Sequence, residues 1–482
     1  MDTKGYEVII GLEVHCELNT KSKFYCSCRS SFGGEVNSQC CPICMGMPGT
    51  LPTLNEKVVD YAVKMGYALG CTINPVSKQD RKNYFYPDLP KAYQISQFDI
   101  PLCENGHLDI LVDGEEKRIG ITRIHIEEDA GKLIHDESFA GTLVDFNRCG
   151  VPLIEIVSEP DLRSSAEAKA YLDTIRETVI YLGISDGKMQ EGSIRCDISV
   201  SVHKPGEPFG TRVEMKNVNT FSGAVRAIEY EAARQIEVLE NGGTISQETR
   251  RWDDLKNCNF LLRSKEDAQD YRYFPEPDLA TILLDEEHLK KLKDSIPELP
   301  NKKTVRFMRE MGLPEEDARQ LVESIEKAAY FEEIVAAGQG KIVPKDAANW
   351  VLGSISRVIN ETGKSIAEIG IAAADLAELI GMLENKEISS SAGNTVFEEL
   401  LKGSGKHPKE IVAEKGLAQV SDSGVLQQIV DQVVAANEKS VNDYRGGKTN
   451  ALGYLVGQCM KASKGKGNPA IMREMLLKIL NG

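Results

Sequence analysis

Acidic residues are concentrated in one stretch of this sequence, Ile121–Asp161. Three of them are consecutive, Glu127–Asp129, and adjacent like charges repel one another, so this run does not favour folding. Carboxylate oxygens bind Mg²⁺, which proteins hold with one or two carboxylates together with substrate phosphates. Gly131 and Lys132 follow and could contact such a phosphate. The stretch predicts a cation site, although an acidic turn in solvent would explain the same residues. Further acids considered with them are Asp145, Glu155 and Glu159.

Segments with alternating apolar residues must position these acids. Ile121–Ile126 and Val151–Val157 have apolar residues at every second position, which is typical of strands with one buried face. A third such segment, Glu7–Glu17, places Glu13 and His15 on one face, because alternate side chains of a strand point the same way. Both residues could therefore contact the same ligand. A core histidine beside a surface glutamate is the alternative.

Two more predicted strands, Gly192–Val202 and Gly210–Phe221, also carry charged residues at alternate positions. Amphipathic helices are predicted at Ser164–Leu182, with a serine cap, and at Val225–Leu239. Strands interleaved with two helices predict an α+β domain with a mixed or antiparallel sheet. The charged residues on these two strands are Arg195, Asp197, Arg212, Glu214 and Lys216.

Two segments, Asp80–Leu102 and Asp270–Asp278, are rich in aromatic residues and proline and lack the pattern of the predicted strands. Proline excludes a helix interior or a central strand, so the first segment is predicted to be a fixed loop. Its Lys82 and Lys91 have no evident acidic partner nearby in the sequence.

Four of the twelve cysteines have the spacing of a metal site. Cys26 and Cys28 are followed by Cys41 and Cys44, and structural zinc takes four thiolates as two close pairs. The first pair is one residue closer than usual, and Cys40 could replace Cys41. Structural zinc is the expectation, and a set of buried free thiols is the alternative.

From Ile296–Pro300 onward the strand patterns disappear. Three domains are therefore predicted: an α+β domain at 1–295, a helical domain at 296–407 and a small helical tail at 408–482. The predicted helices are Val305–Met311, Glu315–Tyr330, Lys345–Thr362, Ala373–Leu383, Ser391–Leu401, Val425–Ala436, Thr449–Lys461 and Pro469–Leu480.

Charge is distributed unevenly along the 482 residues. The net charge of -16 argues against a protein that coats nucleic acid uniformly, yet residues 444–482 contain seven cations and one acid. The beginning of the sequence lacks a signal peptide's pattern and no apolar run reaches membrane-span length, so a cytoplasmic location is expected. The cations considered for a polyanion contact are Arg445, Lys448, Lys461, Lys464 and Lys466.

Phosphate-binding loops of the usual kind are absent from the sequence. Gly447–Thr449 and Gly363–Ser365 each supply only the last three residues of such a loop, without the required first glycine. Any ATP is therefore expected at a sheet-and-carboxylate site.

Long segments of the chain together resemble the B subunit of the bacterial tRNA-dependent amidotransferases. The resemblance implies a cradle-shaped α+β domain related to the glutamine synthetase fold, then a helical domain and a tRNA-binding tail. The segments that carry it are Ile10–Glu17, Asp80–Gln97, Ile121–Lys132, Val151–Asp161, Lys188–Asp197, Phe209–Asn219, Tyr271–Asp278 and Tyr454–Asn468.

The resemblance also implies chemistry. Such an enzyme uses ATP and Mg²⁺ to phosphorylate the side-chain carboxylate of Glu-tRNA(Gln) or Asp-tRNA(Asn), and ammonia then displaces phosphate. Ammonia comes from a partner glutaminase (A) subunit, in a heterotrimer with a small C subunit, and Lys82, Lys91 and Glu128 are implied tunnel linings. Lys132 and Arg195 are the expected nucleotide contacts. The implied catalytic positions are Glu13, His15, Glu128, Glu155, Asp197 and Glu214, with Glu13, His15, Glu128 and Glu214 as metal ligands.

Two other functions remain open on the sequence. A glutamine-synthetase-like ligase acting on a free amino acid would not need the basic tail. A non-enzymatic RNA-binding scaffold would leave the clustered acids without a role. The sequence does not decide between Gln-tRNA and Asn-tRNA as the product.

Overall fold

The computed structural model describes residues 3–135, 140–264, 270–419, 423–463 and 467–481. Within them the strands are, in chain order, β1 (Glu7–Glu17), β2 (Thr72–Ile73), β3 (Val76–Ser77), β4 (Asp80–Asn83), β5 (Tyr93–Ser96), β6 (Cys103–Val112), β7 (Glu115–Glu128), β8 (Lys132–His135), β9 (Thr142–Asp145), β10 (Pro152–Ser158), β11 (Ile194–His203), β12 (Val213–Val218), β13 (Glu248–Asp253), β14 (Cys258–Ser264), β15 (Phe274–Pro275) and β16 (Ile282–Leu283).

The same described residues also form the helices α1 to α17, given below with their bounds. A π-helical turn, Val351–Ile355, joins the eighth and ninth of them. They are α1 (Glu56–Ala68), α2 (Ser165–Tyr181), α3 (Phe221–Glu240), α4 (Glu286–Asp294), α5 (Pro300–Met311), α6 (Glu315–Val322), α7 (Ile325–Ala337), α8 (Pro344–Trp350), α9 (Ser356–Thr362), α10 (Ile366–Ile369), α11 (Ala373–Glu384), α12 (Ser390–Leu401), α13 (Pro408–Lys415), α14 (Ser423–Ala436), α15 (Glu438–Arg445), α16 (Asn450–Ala462) and α17 (Pro469–Asn481).

The chain divides into two compact units, Met1–Lys303 and Thr304–Gly482. Every strand described above lies in the first unit, and the regular elements described in the second are helices. A large sheet with many helices is compatible with the predicted α+β class. The further division at 295 and 407 stays a prediction. None of the described helices combines the length and apolar character needed to span a bilayer.

A nine-stranded sheet organises the first unit. Its strand order is β14-β13-β12-β11-β1-β10-β7-β6-β2, and β1 is its central strand. Neighbouring strands run antiparallel except β12 and β13, which are parallel. Of the predicted mixed or antiparallel sheet, the mixed form is thus the one observed.

The two faces of this sheet differ because apolar and charged residues alternate along its strands. In β1, Ile10, Leu12 and Val14 are fully or almost fully buried, and they belong to a core that includes residues of α1, α2 and α3. The helices pack against this apolar face. Glu13 and His15 point to the other face, which we call the charged face.

The two predicted helices of the first unit are confirmed as α2 and α3. Ser164 caps α2 by accepting a hydrogen bond from the backbone N–H of Glu167, and Thr220 caps α3 in the same way through Gly223. Both helices therefore have a local N-terminal cap in addition to their packing on the sheet.

The prediction of a loop over Asp80–Leu102 is wrong in part. β4 and β5 pair with each other, and β15 from the second aromatic-proline segment pairs with β4. Pro87 and Pro90 lie between β4 and β5, where no ladder hydrogen bond is lost.

The predicted helix Glu315–Tyr330 is two helices. Ser324 interrupts it, and its side chain accepts a hydrogen bond from the backbone N–H of Lys327 at the start of α7. Serine competes for backbone hydrogen bonds inside helices and favours such caps, which explains the break.

Candidate active site on the charged sheet face

Three side chains from three neighbouring strands meet on the charged face: His15 of β1, Glu155 of β10 and Glu127 of β7. His15 lies opposite Glu155 in the strand register. His15 Nε2 is 3.4 Å from Glu155 Oε2 and 3.6 Å from Glu127 Oε1. The ligand atoms of all three lie within 4.8 Å of one another, so one cation could contact all of them. We call these three residues the histidine group.

His125 of β7 adjoins the histidine group and influences its charge. Its Nε2 lies 3.3 Å from Glu155 Oε2 and 3.8 Å from Glu127 Oε2. Burial favours a lower pKa for His125, but the charges of Glu155 and Glu127 outweigh it and raise the pKa to about 9. Burial likewise works against ionised Glu155, yet His125 and His15 hold its pKa well below the usual value. Burial also works against ionised Glu127, but hydrogen bonding to His125 holds its pKa below the usual value.

A second set of carboxylates lies across the other side of β1. Glu13, Asp197 of β11 and Glu214 of β12 bring their oxygens within 4.8 Å of one another. The ammonium of Lys216 pairs with Asp197 and lies 3.1 Å from Glu214 Oε1. Thr249 Oγ1 donates a hydrogen bond of 2.9 Å to Glu214 Oε2. We call Glu13, Asp197 and Glu214 the lysine group, after this counter-ion.

Glu13 connects the two groups electrostatically. Its pKa is raised by burial first and then by the negative charges of Glu155, Glu214 and Asp197. Lys216 acts in the opposite direction on Glu214, whose pKa it lowers despite partial burial. One lysine thus faces three carboxylates, and this excess of negative charge favours the binding of further cations.

The three consecutive acids are buried, so the alternative of an acidic turn in solvent is wrong. Glu127, Glu128 and Asp129 are 3%, 3% and 6% exposed. Glu127 and Glu128 differ in direction because successive residues of β7 point to opposite faces. Glu127 reaches the histidine group, whereas the structure brings Glu128 into neither group.

Glu128 lies in a different pocket. Its Oε1 accepts a hydrogen bond of 2.9 Å from the backbone N–H of Ile95 and pairs with the ammonium of Lys91. A cavity of about 70 Å³ at this pair is lined by Lys23, Cys44 and Gly150 among others. We call it the Glu128 pocket.

The two tunnel lysines of the sequence prediction lie in different surroundings. Lys91 is in the Glu128 pocket. Lys82 interacts electrostatically with the histidine group: burial lowers its pKa, but Glu127, Tyr273 and Glu155 raise it above the usual value. Its ammonium is also 5.1 Å from the ring centre of Tyr271.

Arg195 and Lys132, predicted as nucleotide contacts, lie in different surroundings, and Arg195 is opposite His15 in the register of β11 and β1. Arg195 Nη2 pairs with Asp129 Oδ2, and Arg148 Nε is 3.4 Å from the same oxygen. Lys132 is exposed on β8 and lines a cavity of about 280 Å³ together with Glu17 and Arg148. Arg195 is therefore already engaged by a carboxylate.

Asp145 and Glu159, also considered from the sequence, belong to neither group. Asp145 accepts hydrogen bonds from the backbone N–H groups of Asn37 and Asn147. Glu159 is exposed and accepts a hydrogen bond of 2.7 Å from Thr122 Oγ1.

The sulfur atoms of Cys26, Cys28, Cys41 and Cys44 lie within 4.8 Å of one another. Zinc–sulfur bonds of about 2.3 Å in a tetrahedron require sulfurs about 3.8 Å apart, and those of Cys41 and Cys44 are 4.0 Å apart. Cys40 Sγ instead lies 3.2 Å from the carbonyl oxygen of Asn37. The structure thus groups Cys41, and not Cys40, with the other three.

The tail cations have different partners. Arg445 donates hydrogen bonds to the carbonyl oxygens of Leu480 and Ile479 at the end of α17. Lys448 pairs with Asp443 at 2.9 Å. Lys461 is exposed on α16, and the predicted contacts Lys464 and Lys466 lie outside the described residues.

Sequence reasoning placed Glu127 in the predicted cation-binding stretch but named Glu128 as a metal ligand, and it did not assign His125 or Lys216 to the site. The signal for Glu127 and His125 was present, because they alternate with the apolar Ile124 and Ile126, which mark the opposite face. For Lys216 the alternation with Glu214 was recognised, but its pairing with Asp197 depends on a neighbouring strand.

Two anionic groups lie side by side on one face of the sheet. The protein therefore has a sheet face suited to binding divalent cations. Two family models match the chain: the GatB/GatE catalytic domain over residues 8–290 and the GatB domain over residues 329–480. The chain belongs to this GatB family.

Curated relatives agree over almost the whole length. The protein of Caldicellulosiruptor saccharolyticus is 56% identical over 475 residues, 98% of each chain. That of Thermoanaerobacter pseudethanolicus is 53% identical over 477 residues, 99% of each chain, and that of Geobacter sulfurreducens is 52% identical over 482 residues, 99% of this chain and 100% of the relative. All three carry the name of the B subunit of an aspartyl/glutamyl-tRNA(Asn/Gln) amidotransferase.

Proposed function

We propose that this chain is the B subunit of a tRNA-dependent amidotransferase. In this role it phosphorylates the side-chain carboxylate of Glu-tRNA(Gln) or Asp-tRNA(Asn) with ATP and then amidates it with ammonia. The observation that supports this most is the adjacency of the histidine group and the lysine group on one face. The names of relatives above 50% identity support the same reading.

The chemistry explains why two anionic groups are useful. A carboxylate is a poor acyl electrophile, and its phosphorylation requires two negatively charged reactants to approach each other. Catalysis of such a phosphoryl transfer rests on positioning and on positive charge. Magnesium, when bound, supplies that charge.

The chain's own residues divide this work. His15, Glu127 and Glu155 would hold one Mg²⁺, since their ligand atoms converge. Glu13, Asp197 and Glu214 would hold a second, with the ammonium of Lys216 beside Asp197 and Glu214. In this assignment Glu127 takes the metal role that the resemblance implied for Glu128. Lys132 and Arg195 remain the proposed nucleotide contacts.

Ammonia would reach this face by a polar route from a partner glutaminase (A) subunit, in a complex that also contains a small C subunit. Lys82, Lys91 and Glu128 are the proposed lining. Lys91 and Glu128 form a partly buried ion pair, and Glu127 and Glu155 raise the pKa of Lys82 against the effect of burial, which is compatible with a route that begins in the Glu128 pocket.

A structural zinc is proposed at Cys26, Cys28, Cys41 and Cys44. Four converging thiol groups fit a closed tetrahedral shell, and such a shell leaves no position for substrate. The zinc would hold the loop that carries these cysteines and contribute to folding.

The cradle-shaped first domain, the helical second domain at 296–407 and the tRNA-binding tail at 408–482 complete the proposal, with a cytoplasmic location. The tail helices α14–α17 share a small core of their own, which includes Leu426, Leu455 and Leu476. Arg445, Lys448, Lys461, Lys464 and Lys466 are the proposed tRNA contacts.

The test is amidation of both mischarged tRNAs by the purified complex, with ATP hydrolysis followed in parallel. Hydrolysis and amidation that depend on charged tRNA are expected. Amidation of free glutamate or aspartate instead would indicate a glutamine-synthetase-like ligase. Binding of tRNA without hydrolysis or amidation would indicate an RNA-binding scaffold.

A further inference from the structure

Lys23 is a fully buried lysine at the edge of the four-cysteine site. Its side chain has 0% exposure. Its backbone N–H donates a 2.9 Å hydrogen bond to the carbonyl oxygen of Cys28, and the backbone N–H of the next residue, Phe24, donates one of 2.8 Å to Gly150. The backbone therefore holds Lys23 directly against one cysteine pair.

The ammonium of Lys23 has a sulfur atom as its partner. Its Nζ lies 3.7 Å from Cys44 Sγ. Throughout the described part of the chain, no carboxylate forms an ion pair with Lys23, and Glu128, which is near its side chain, pairs with Lys91. A buried charge is strongly unfavourable unless an opposite charge compensates it. Neutral thiols would not provide that charge, whereas metal-bound thiolates would.

We propose that Lys23 is a positioning residue for the metal at the four cysteines. Its ammonium donates a hydrogen bond to the Cys44 thiolate and offsets part of the negative charge that four thiolates and one Zn²⁺ leave. This inference rests on the proposed zinc, and it adds an observation that is independent of the cysteine spacing.

Gly150 shows how closely Lys23, Cys44 and Glu128 approach one another. A Cβ atom placed on Gly150 would lie 3.5 Å from Cys44 Cβ, 3.7 Å from Glu128 Oε2 and 3.8 Å from Lys23 Cδ. Lys23 therefore lies in the wall shared by the metal site and the Glu128 pocket, and its side chain contributes to both.

The experiment measures metal at these cysteines in the purified complex. Zinc transfer to a chromophoric chelator is followed for the wild type, Lys23→Met, Lys23→Gln and the control Lys21→Met, because Lys21 is exposed on the same segment. The same proteins are loaded with Co²⁺, and the sulfur-to-cobalt charge-transfer band is recorded. The energy of this band depends on the electron density on the thiolates. A structural change away from the cysteines would not shift it.

Lys23→Met should weaken zinc binding by about 10- to 100-fold, the usual effect of removing a hydrogen-bond partner of a metal ligand. Lys23→Gln keeps a donor without the charge and should fall between Lys23→Met and the wild type. Both should shift the cobalt band, and Lys21→Met should leave zinc transfer and the band unchanged.

The outcomes separate this inference from the zinc assignment. If Lys23→Met does not fold, Lys23→Gln decides. A folded Lys23→Gln with wild-type zinc transfer and a wild-type cobalt band would overturn the inference alone. A wild-type complex that takes up no metal at the cysteines would overturn both the inference and the zinc assignment.

Discussion

Glu127 and Glu128 are neighbours in the sequence but belong to different regions of the molecule. Glu127 meets His15 and Glu155 on the charged face, and Glu128 meets Lys91 and the backbone of Ile95 in its own pocket. Successive side chains of a strand point to opposite faces of the sheet. The two carboxylates should therefore serve different steps, and a conservative change at each distinguishes the two regions.

The largest effect is expected from Glu127→Gln. The change keeps the shape but removes one charge from the histidine group, and both tRNA-dependent ATP hydrolysis and amidation should fall by about 100-fold or more. Glu159→Gln is the matched control, since Glu159 is exposed and outside both groups. Steady-state rates of the complex check this, and near-normal ATP hydrolysis by Glu127→Gln would show that the histidine group is structural.

Glu128→Gln should act on ammonia use instead. We expect amidation with glutamine as donor to fall by about tenfold, equal to about 1.4 kcal/mol of barrier, while ATP hydrolysis changes less. Ammonium salt added directly should restore part of the rate, because it bypasses the Glu128 pocket. A loss of ATP hydrolysis as large as that of Glu127→Gln would remove the distinction between the two carboxylates.

Much of this arrangement follows from alternation in the sequence. Glu13 with His15, and Arg195 with Asp197, were placed on shared faces correctly because each pair lies on one strand. The grouping of His15, Glu155 and Glu127 required the order and register of three strands, which are set by pairing over more than a hundred residues. Local patterns do not contain that information.

The same limit explains the smaller discrepancies. The pairing of β4 with β15 joins segments almost two hundred residues apart, so the sequence suggested loops. The choice of Cys41 over Cys40 depends on how the chain turns after residue 40, since both have a thiol at almost the same position.

Lys216→Met examines the lysine group. Without the ammonium, Asp197 and Glu214 face Glu13 unshielded, and the protein should lose stability by about 1 kcal/mol in chelator, or about 2–4 °C in Tm. Added Mg²⁺ should recover most of this loss. Lys169→Met is the control, because Lys169 pairs with Asp173 on the exposed surface of α2. Equal behaviour of the two variants with and without Mg²⁺ would argue against a cation site at this group.

The smallest effect is expected in the tail. Lys461→Gln should weaken tRNA binding modestly and lower the slope of log K against log salt by about one unit, as for one lost phosphate contact. Lys478→Gln is the control, since Lys478 pairs with Glu474 on α17. Identical salt slopes for wild type and Lys461→Gln would exclude Lys461 as a phosphate contact.

The central claim is that Glu127, and not Glu128, shares a cation with His15 and Glu155. Binding of Mn²⁺ as a substitute for Mg²⁺, followed by electron paramagnetic resonance on the purified complex, tests it without any catalytic step. Glu127→Gln should weaken Mn²⁺ binding by about 10- to 100-fold, and Glu128→Gln should leave it close to the wild-type value. A greater loss of Mn²⁺ binding with Glu128→Gln than with Glu127→Gln would contradict the claim.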